Sequence, residues 1–241
     1  MKRKPPPGNV RRVASIDRNI RGVTTSKRGR LVQFESEQER KLILLLERDA
    51  TVADYASQPE TLIFQDRSGH TRRYTPDFKV WRTGGQVELH EVTVEHRREQ
   101  ERMQARESAA GVICQERQWR YVIHTERTLP QGNEYLNLSI LSMFRACTYL
   151  TPDIAEWWRT HLGSSDKSVH PESILPNTPT APRGLLLNGM YHLIWHDHIG
   201  MDWNQALITR GEFNPNAKIW QRLIQDAPTG WLASAVSEVI S

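Results

Sequence analysis

The sequence predicts an α/β core over roughly residues 35–147, preceded by a basic arm and followed by a small, mostly helical, winged-helix-like module. Three observations carry this. Residues 36–46 have helical apolar spacing, residues 51–94 break into short alternating runs separated by turn residues, and the charge is distributed unevenly along the chain. The expected domains are 1–30 (arm), 31–150 (core) and 151–241 (C-terminal module), with a linker at 163–184.

The arm comes first. Residues 1–30 hold ten lysines or arginines against Asp17 alone, a charge of +9, so the remainder carries −5 of the chain's net +4. A Pro-rich, apolar-poor segment of this kind cannot build a core and is expected to be disordered alone. Its natural partner is a polyanion, bound in a salt-dependent way. Lys2, Arg3, Lys4, Arg11, Arg12, Lys27, Arg28 and Arg30 are the candidate DNA-binding residues.

Leu31–Phe34 reads as extended, and Ser36 as the N-cap of a helix whose Leu42, Ile43, Leu45 and Leu46 form a buried stripe. Ser36-x-x-Glu39 fits a capping box. Glu39 cannot cap the helix and ligate a metal at once. Pro59 keeps Gln58 extended. Thr61–Gln65 and His70–Tyr74 read as a hairpin turning at Asp66-Arg67-Ser68-Gly69. Thr75-Pro76 delivers Asp77 to a strand over 77–82, and Gly84-Gly85 leads into a strand over 86–94. Alternation puts Asp77 and Lys79 on one face, and Leu89, Glu91 and Thr93 on one face of the next strand. A carboxylate in line with apolar neighbours points to a partly buried polar site.

Residues 95–110 read as an exposed amphipathic helix with Gly111 as its C-cap, Trp119–His124 as a strand, and Asn133–Cys147 as a helix. Beyond the core, helices are expected at Pro152–Leu162, Leu185–Ile199 and Asp202–Ile208, with further short elements at Trp220–Ile224 and Trp231–Ile240. His192, His196 and His198 lack a convincing further ligand for zinc and read as surface or interface histidines. The two cysteines, Cys114 and Cys147, read as buried thiols of a reducing compartment. No apolar run approaches the ~18 residues of a membrane span, and the N-terminus lacks a secretory apolar core. A cytoplasmic setting without a membrane partner is therefore expected.

Glu39, Asp77 and Glu91 stand at the ends of neighbouring expected elements, where they can gather as oxygen ligands for a hard cation. A metal-dependent nuclease site is the expectation from the residues alone.

The ordered set of KRGRLVQFES (27–36), Glu39 ahead of Gln58-Pro59-Glu60, YTPDF (74–78), HEVTV (90–94) and WRYVIHTE (119–126) resembles the TnsA endonuclease family. This family supplies the subunit of heteromeric bacterial transposases that cuts the non-transferred strand at transposon ends. The resemblance covers about Val23 to Thr125. It implies a restriction-endonuclease-like fold of the PD-(D/E)-x-K class and a Mg²⁺ (or Mn²⁺) cofactor. Glu39, Asp77 and Glu91 would be the catalytic metal ligands. It also implies double-stranded transposon-end DNA, a DDE transposase subunit (TnsB-like) and an AAA+ ATPase regulator (TnsC-like) as partners. The family's lysine falls at Thr93, which cannot carry its charge; Lys79 is the leading relocated cation, with Lys41 and Arg97 behind it. Two alternatives accompany this reading. One is a catalytically degenerate scaffold bridging transposase and regulator; the other is a stand-alone restriction or repair nuclease.

Overall fold

A computed structural model of the chain describes residues 20–66, 68–146, 148, 150–162, 167–176 and 181–222. The chain divides into two compact units between Leu129 and Pro130, whereas the sequence suggested a boundary at 150.

The first unit opens on a hairpin. β1 (Gly22–Thr25) pairs antiparallel with β2 (Leu31–Phe34). Part of the expected disordered arm is therefore structured, because Lys27 and Arg30 have fixed acceptors. The Lys27 ammonium donates to the Asp49 carbonyl and, at 3.0 Å, to that of Val52. Arg30 Nε lies 2.8 Å from Asp54 Oδ2. These two positions of the proposed DNA-binding set serve the hairpin's anchorage. Arg28 is exposed. Lys2, Arg3, Lys4, Arg11 and Arg12 lie outside the described residues.

Helix α1 (Glu37–Arg48) starts at Ser36 and buries Leu42, Ile43, Leu44, Leu45 and Leu46. Strands β3 (Val52–Ser57), β6 (Phe78–Arg82), β7 (Val87–Val92) and β8 (Arg120–His124) form a mixed sheet in that order, with only β7–β8 parallel. The hairpin β4 (Leu62–Gln65) and β5 (Thr71–Tyr74) is a separate two-stranded sheet between β3 and β6 in sequence. Gly85 makes the turn after β6 with φ +84°, a conformation that costs glycine little. The strands expected between residues 31 and 124 are present, with ends shifted by one or two residues; β7 stops at Val92, short of the expected 94.

The charged stretch after β7 differs from expectation. It forms a single turn, α2 (Glu95–Arg98), and then α3 (Glu101–Glu116), which runs straight through Gly111. The chain reverses at Gln118 instead, in the left-handed region at φ +58°. The longer helix is held by a buried face: Ala110 and Cys114 pack with Leu62, Tyr74, Leu89 and Tyr121. The apolar surface buried there outweighs the weak helix propensity of one glycine. Cys114 is a buried thiol, its pKa pushed up to about 11 by burial. Cys147 lies outside the described residues.

The second unit holds α4 (Gly132–Leu141), a 3₁₀ turn at Ser142–Phe144, α5 (Pro152–His161) and α6 (Ala181–Trp195). Trp158 is fully buried, and its indole N–H donates to the Leu186 carbonyl at 2.8 Å. The C-terminal part is less helical than expected. Asp202–Leu207 is a loop, clamped where Asn137 Nδ2 donates to the Gln205 carbonyl and Asn137 Oδ1 accepts from Leu207 N. β9 (Ile199–Met201) pairs with β12 (Ile219–Gln221), and β10 (Ile208–Thr209) with β11 (Glu212–Phe213). Gly200 allows the first pairing, since a Cβ there would lie 2.3 Å from the Trp220 indole nitrogen. The expected linker at 163–184 is partly built in, because Val169 exchanges both backbone hydrogen bonds with Ile219. Residues 231–240 lie outside the described residues. Among the described residues, no helix is long and apolar enough to cross a membrane.

Candidate active site

The register of β6 against β7 sets the site. Phe78 pairs with His90, so Asp77 and Glu91 sit level where the two strands end. Asp77 Oδ2 accepts a hydrogen bond from Val92 N at 2.8 Å. The Asp77 backbone carbonyl accepts one from Gln58 N at 2.7 Å, and Gln58 adopts φ +46° to make it. The Gln58-Pro59 turn thus fixes the strand that carries the aspartate.

Glu91 is buried. Its Oε2 accepts from the Tyr74 hydroxyl, which also lies 3.1 Å from the Tyr121 hydroxyl. Its Oε1 is 3.3 Å from Arg106 Nη2 on α3, and that guanidinium lies 4.3 Å from the centre of the Tyr74 ring. Glu39 closes a capping box in this structure. Its Oε1 accepts from Ser36 Oγ at 3.0 Å and its Oε2 from Glu35 N at 2.9 Å, while its own N–H donates to Ser36 Oγ.

Electrostatics nonetheless tie all three carboxylates together. Burial raises the Asp77 pKa well above the carboxylate range, and the charges of Glu91 and Glu39 raise it further. Burial likewise pushes Glu91 up to about 7; Arg106 and the Tyr74 hydroxyl oppose the rise, and Glu107 and Glu39 add to it. The structure therefore brings Asp77 and Glu91 together and places Glu39 within electrostatic reach.

Lys79 does not serve this site. Its ammonium lies 3.7 Å from the centre of the Trp119 ring and 3.3 Å from Glu60 Oε1. Lys41 is buried on α1 and Arg97 is exposed on α2. Thr93 lies just past β7, its N–H given to the His124 carbonyl at 2.9 Å. His192 and His196 are hydrogen-bonded to the carbonyls of Phe144 and Arg145.

Beside Asp77 opens a cleft of about 720 Å³ between the β4–β5 hairpin and α3. Asp77 and Tyr74 line it, as do Arg72, Arg73, Arg102 and Arg106. Arg72 is partly occupied by Asp66, 2.7 Å from its Nε. The sequence reading missed these arginines. Arg72 and Arg73 precede YTPDF directly, and Arg102 and Arg106 lie one helical turn apart, but both pairs look like ordinary surface charge.

The donors fit a hard divalent cation, within limits. Both are carboxylates, and among the described residues no hydrogen-bond donor reaches Asp77 Oδ1. Their raised pKa values mark negative charge without full compensation. No group of three potential ligands is assembled among the described residues, because Glu39 faces its cap. Asp77 and Glu91 would hold the ion, with water or substrate oxygens completing its shell.

Two carboxylates next to arginines can hold a divalent cation and a phosphate group side by side. Residues 49–126 match the family described as TnsA-like endonuclease N terminal, of the Tn7 type. Over this segment the chain is similar to the TnsA-like endonuclease family. The match includes Asp77, Glu91, Thr93 and Arg106, and begins after Glu39. No curated protein matches the chain.

Proposed function

We propose that the chain is a divalent-metal-dependent DNA endonuclease subunit of Tn7-like transposition, cutting the non-transferred strand at transposon ends. The observation that carries this reading is Asp77, level with the buried Glu91 and itself lining a cleft rich in arginines. The match of residues 49–126 to the TnsA-like endonuclease family supports it, and the mixed sheet is consistent with a restriction-endonuclease-like fold. A DDE transposase and an AAA+ ATPase are the proposed partners, and Mg²⁺ or Mn²⁺ the proposed cofactor.

When bound, the metal supplies a more acidic water and neutralises charge on the leaving oxygen. The chain's own groups do the rest. Asp77 and Glu91 present oxygens, and Val92 N and Tyr74 fix their orientation. The cleft arginines neutralise backbone phosphate. A water oxygen bonds to phosphorus, the bond from phosphorus to the 3′ oxygen breaks, and the proton released by water ends on that oxygen.

A second reading, a non-catalytic scaffold, draws on Thr93 in place of lysine and on the engagement of Lys79 with Trp119 and Glu60. The test is cleavage of transposon-end DNA, labelled separately on each strand, with Mn²⁺ and the cognate transposase and ATPase. The nuclease reading expects a nick in one strand. Intact DNA with all partners present, together with transposition that survives Asp77→Ala, would establish the scaffold.

A further inference from the structure

Hydrolysis of a phosphodiester builds negative charge on the phosphoryl oxygens, and two carboxylates beside it make that worse unless a cation faces them. Thr93 supplies none, and Lys79 is turned toward Trp119 and Glu60. We propose that Arg106, reaching from α3, is the cation that faces the scissile phosphate in this protein. The proposal rests on the nuclease reading and names the residue that completes the same site.

Three observations carry it. Arg106 Nη2 lies 3.3 Å from Glu91 Oε1, so the guanidinium already stands at the carboxylates. The side chain also lines the cleft that Asp77 opens into, so it is accessible to a strand lying there. Its position is preset: the guanidinium lies 4.3 Å from the centre of the Tyr74 ring, and the Tyr74 hydroxyl holds the other oxygen of Glu91. An aromatic face under a guanidinium leaves its N–H edges to aim at other groups; here Nη1 meets only the weak acceptor Met103 Sδ, at 3.3 Å, which a phosphate oxygen can displace. Arg72, by contrast, is tied to Asp66 at the hairpin turn. A guanidinium also suits phosphate better than a lysine would, because its planar fork matches two oxygens at once.

With a phosphate in the cleft, one edge of Arg106 keeps Glu91 and another meets a phosphoryl oxygen. Without one, Arg106 competes with a metal ion for Glu91. Two measurable consequences follow, only one of which needs catalysis.

The experiment compares full-length wild type, Arg106→Ala, Arg106→Lys and the double variant Arg106→Ala/Thr93→Lys, all checked for equal melting temperature. Cleavage of end DNA is followed with Mn²⁺ and partners, and Mn²⁺ affinity is measured by calorimetry without DNA. Arg106→Ala is expected to lose about 10²-fold or more in cleavage, Arg106→Lys to lose less than Arg106→Ala because it keeps the charge but not the fork, and the double variant to regain at least about tenfold by returning a cation from the strand side. Mn²⁺ should bind Arg106→Ala a few-fold more tightly than wild type. Cleavage by Arg106→Ala at the wild-type rate overturns the proposal. So does a loss that Thr93→Lys does not rescue, accompanied by unchanged Mn²⁺ affinity, since that marks a merely structural contact. A wild type that never cleaves overturns the nuclease reading instead. The Mn²⁺ comparison then decides alone whether Arg106 is the resident cation of the carboxylates.

Discussion

Asp77→Ala is expected to reduce cleavage of end DNA by about 10³-fold or more without unfolding the protein. Loss of activity alone would be ambiguous, so the stability side matters as much. The native carboxyl is half-buried at the cleft, and desolvation first, then the charges of Glu91 and Glu39, raise its pKa well above the ordinary range. Deleting it removes that repulsion and gives up one hydrogen bond from Val92 N, worth about 1 kcal/mol. These effects oppose each other. The metal-free variant should melt at or above the wild-type temperature at pH 8, where the wild-type pair is most fully ionised. A variant that is inactive because it misfolds would melt lower.

The second large effect lies on the other face of the sheet. Glu88 on β7 is 1% exposed and gathers Arg82 at 2.8 Å, Arg120 at 3.3 Å and His90 at 3.0 Å. His124 Nε2 lies 2.9 Å from His90 Nδ1, with the rings stacked 5.0 Å apart. The pattern is satisfied by neutral imidazoles, His124 donating to His90 and His90 donating to Glu88. Glu88→Ala leaves Arg82 partly unpaired and His90 without its acceptor. It should cost about 3–5 kcal/mol in denaturant unfolding.

The pH dependence follows from the same groups. Burial alone would raise the Glu88 pKa, but hydrogen bonds and charge from His90 and Arg82 bring it down to about 2. A lowered carboxylate stabilises the fold above its unfolded pKa, and that stability is lost as pH falls from about 4.5 toward 2. Burial lowers the pKa of His90 and, more strongly, of His124. The unfolded chain therefore binds more protons below about 6.5, and stability falls as pH drops through that value. Asp77 and Glu91 act in the opposite sense. The raised value of Glu91 costs stability as pH rises from about 4.5 to 7, and the raised value of Asp77 acts in the same direction. Between these limits the two clusters offset each other, and below about 4.5 the Glu88 network dominates. Melts at pH 7 and pH 3.5 should therefore differ less in Glu88→Gln than in wild type.

Much of the site was legible in the sequence because strand alternation and turn residues fix faces and ends. Thr75-Pro76 and Gly84-Gly85 bracket β6, and the register they impose brings Asp77 level with Glu91. Alternation gives a face but not a partner. Lys79 does lie on the expected strand, yet the aromatic ring that captures its ammonium comes from Trp119, just before β8. The length of α3 was misjudged because Gly111 resembles a cap in isolation, while the buried contacts of Ala110 and Cys114 that carry the helix onward are tertiary. Arg106 was invisible for the same reason. On a charged helix it is one arginine among several until packing brings it over Tyr74. In the second unit, Asp202–Leu207 had helical composition, but Asn137 supplies the hydrogen bonds that hold it as a loop.

The account stands on Asp77 and Glu91 forming one divalent-cation site. Calorimetric titration of Mn²⁺ into metal-free wild type, Asp77→Ala and Glu91→Gln at pH 8 tests this without depending on DNA or partners. Binding by wild type that disappears in both variants is the expected result, and it should weaken at pH 5.5 as the pair takes up protons. Wild type that binds no Mn²⁺, or either variant binding it as wild type does, would contradict the account.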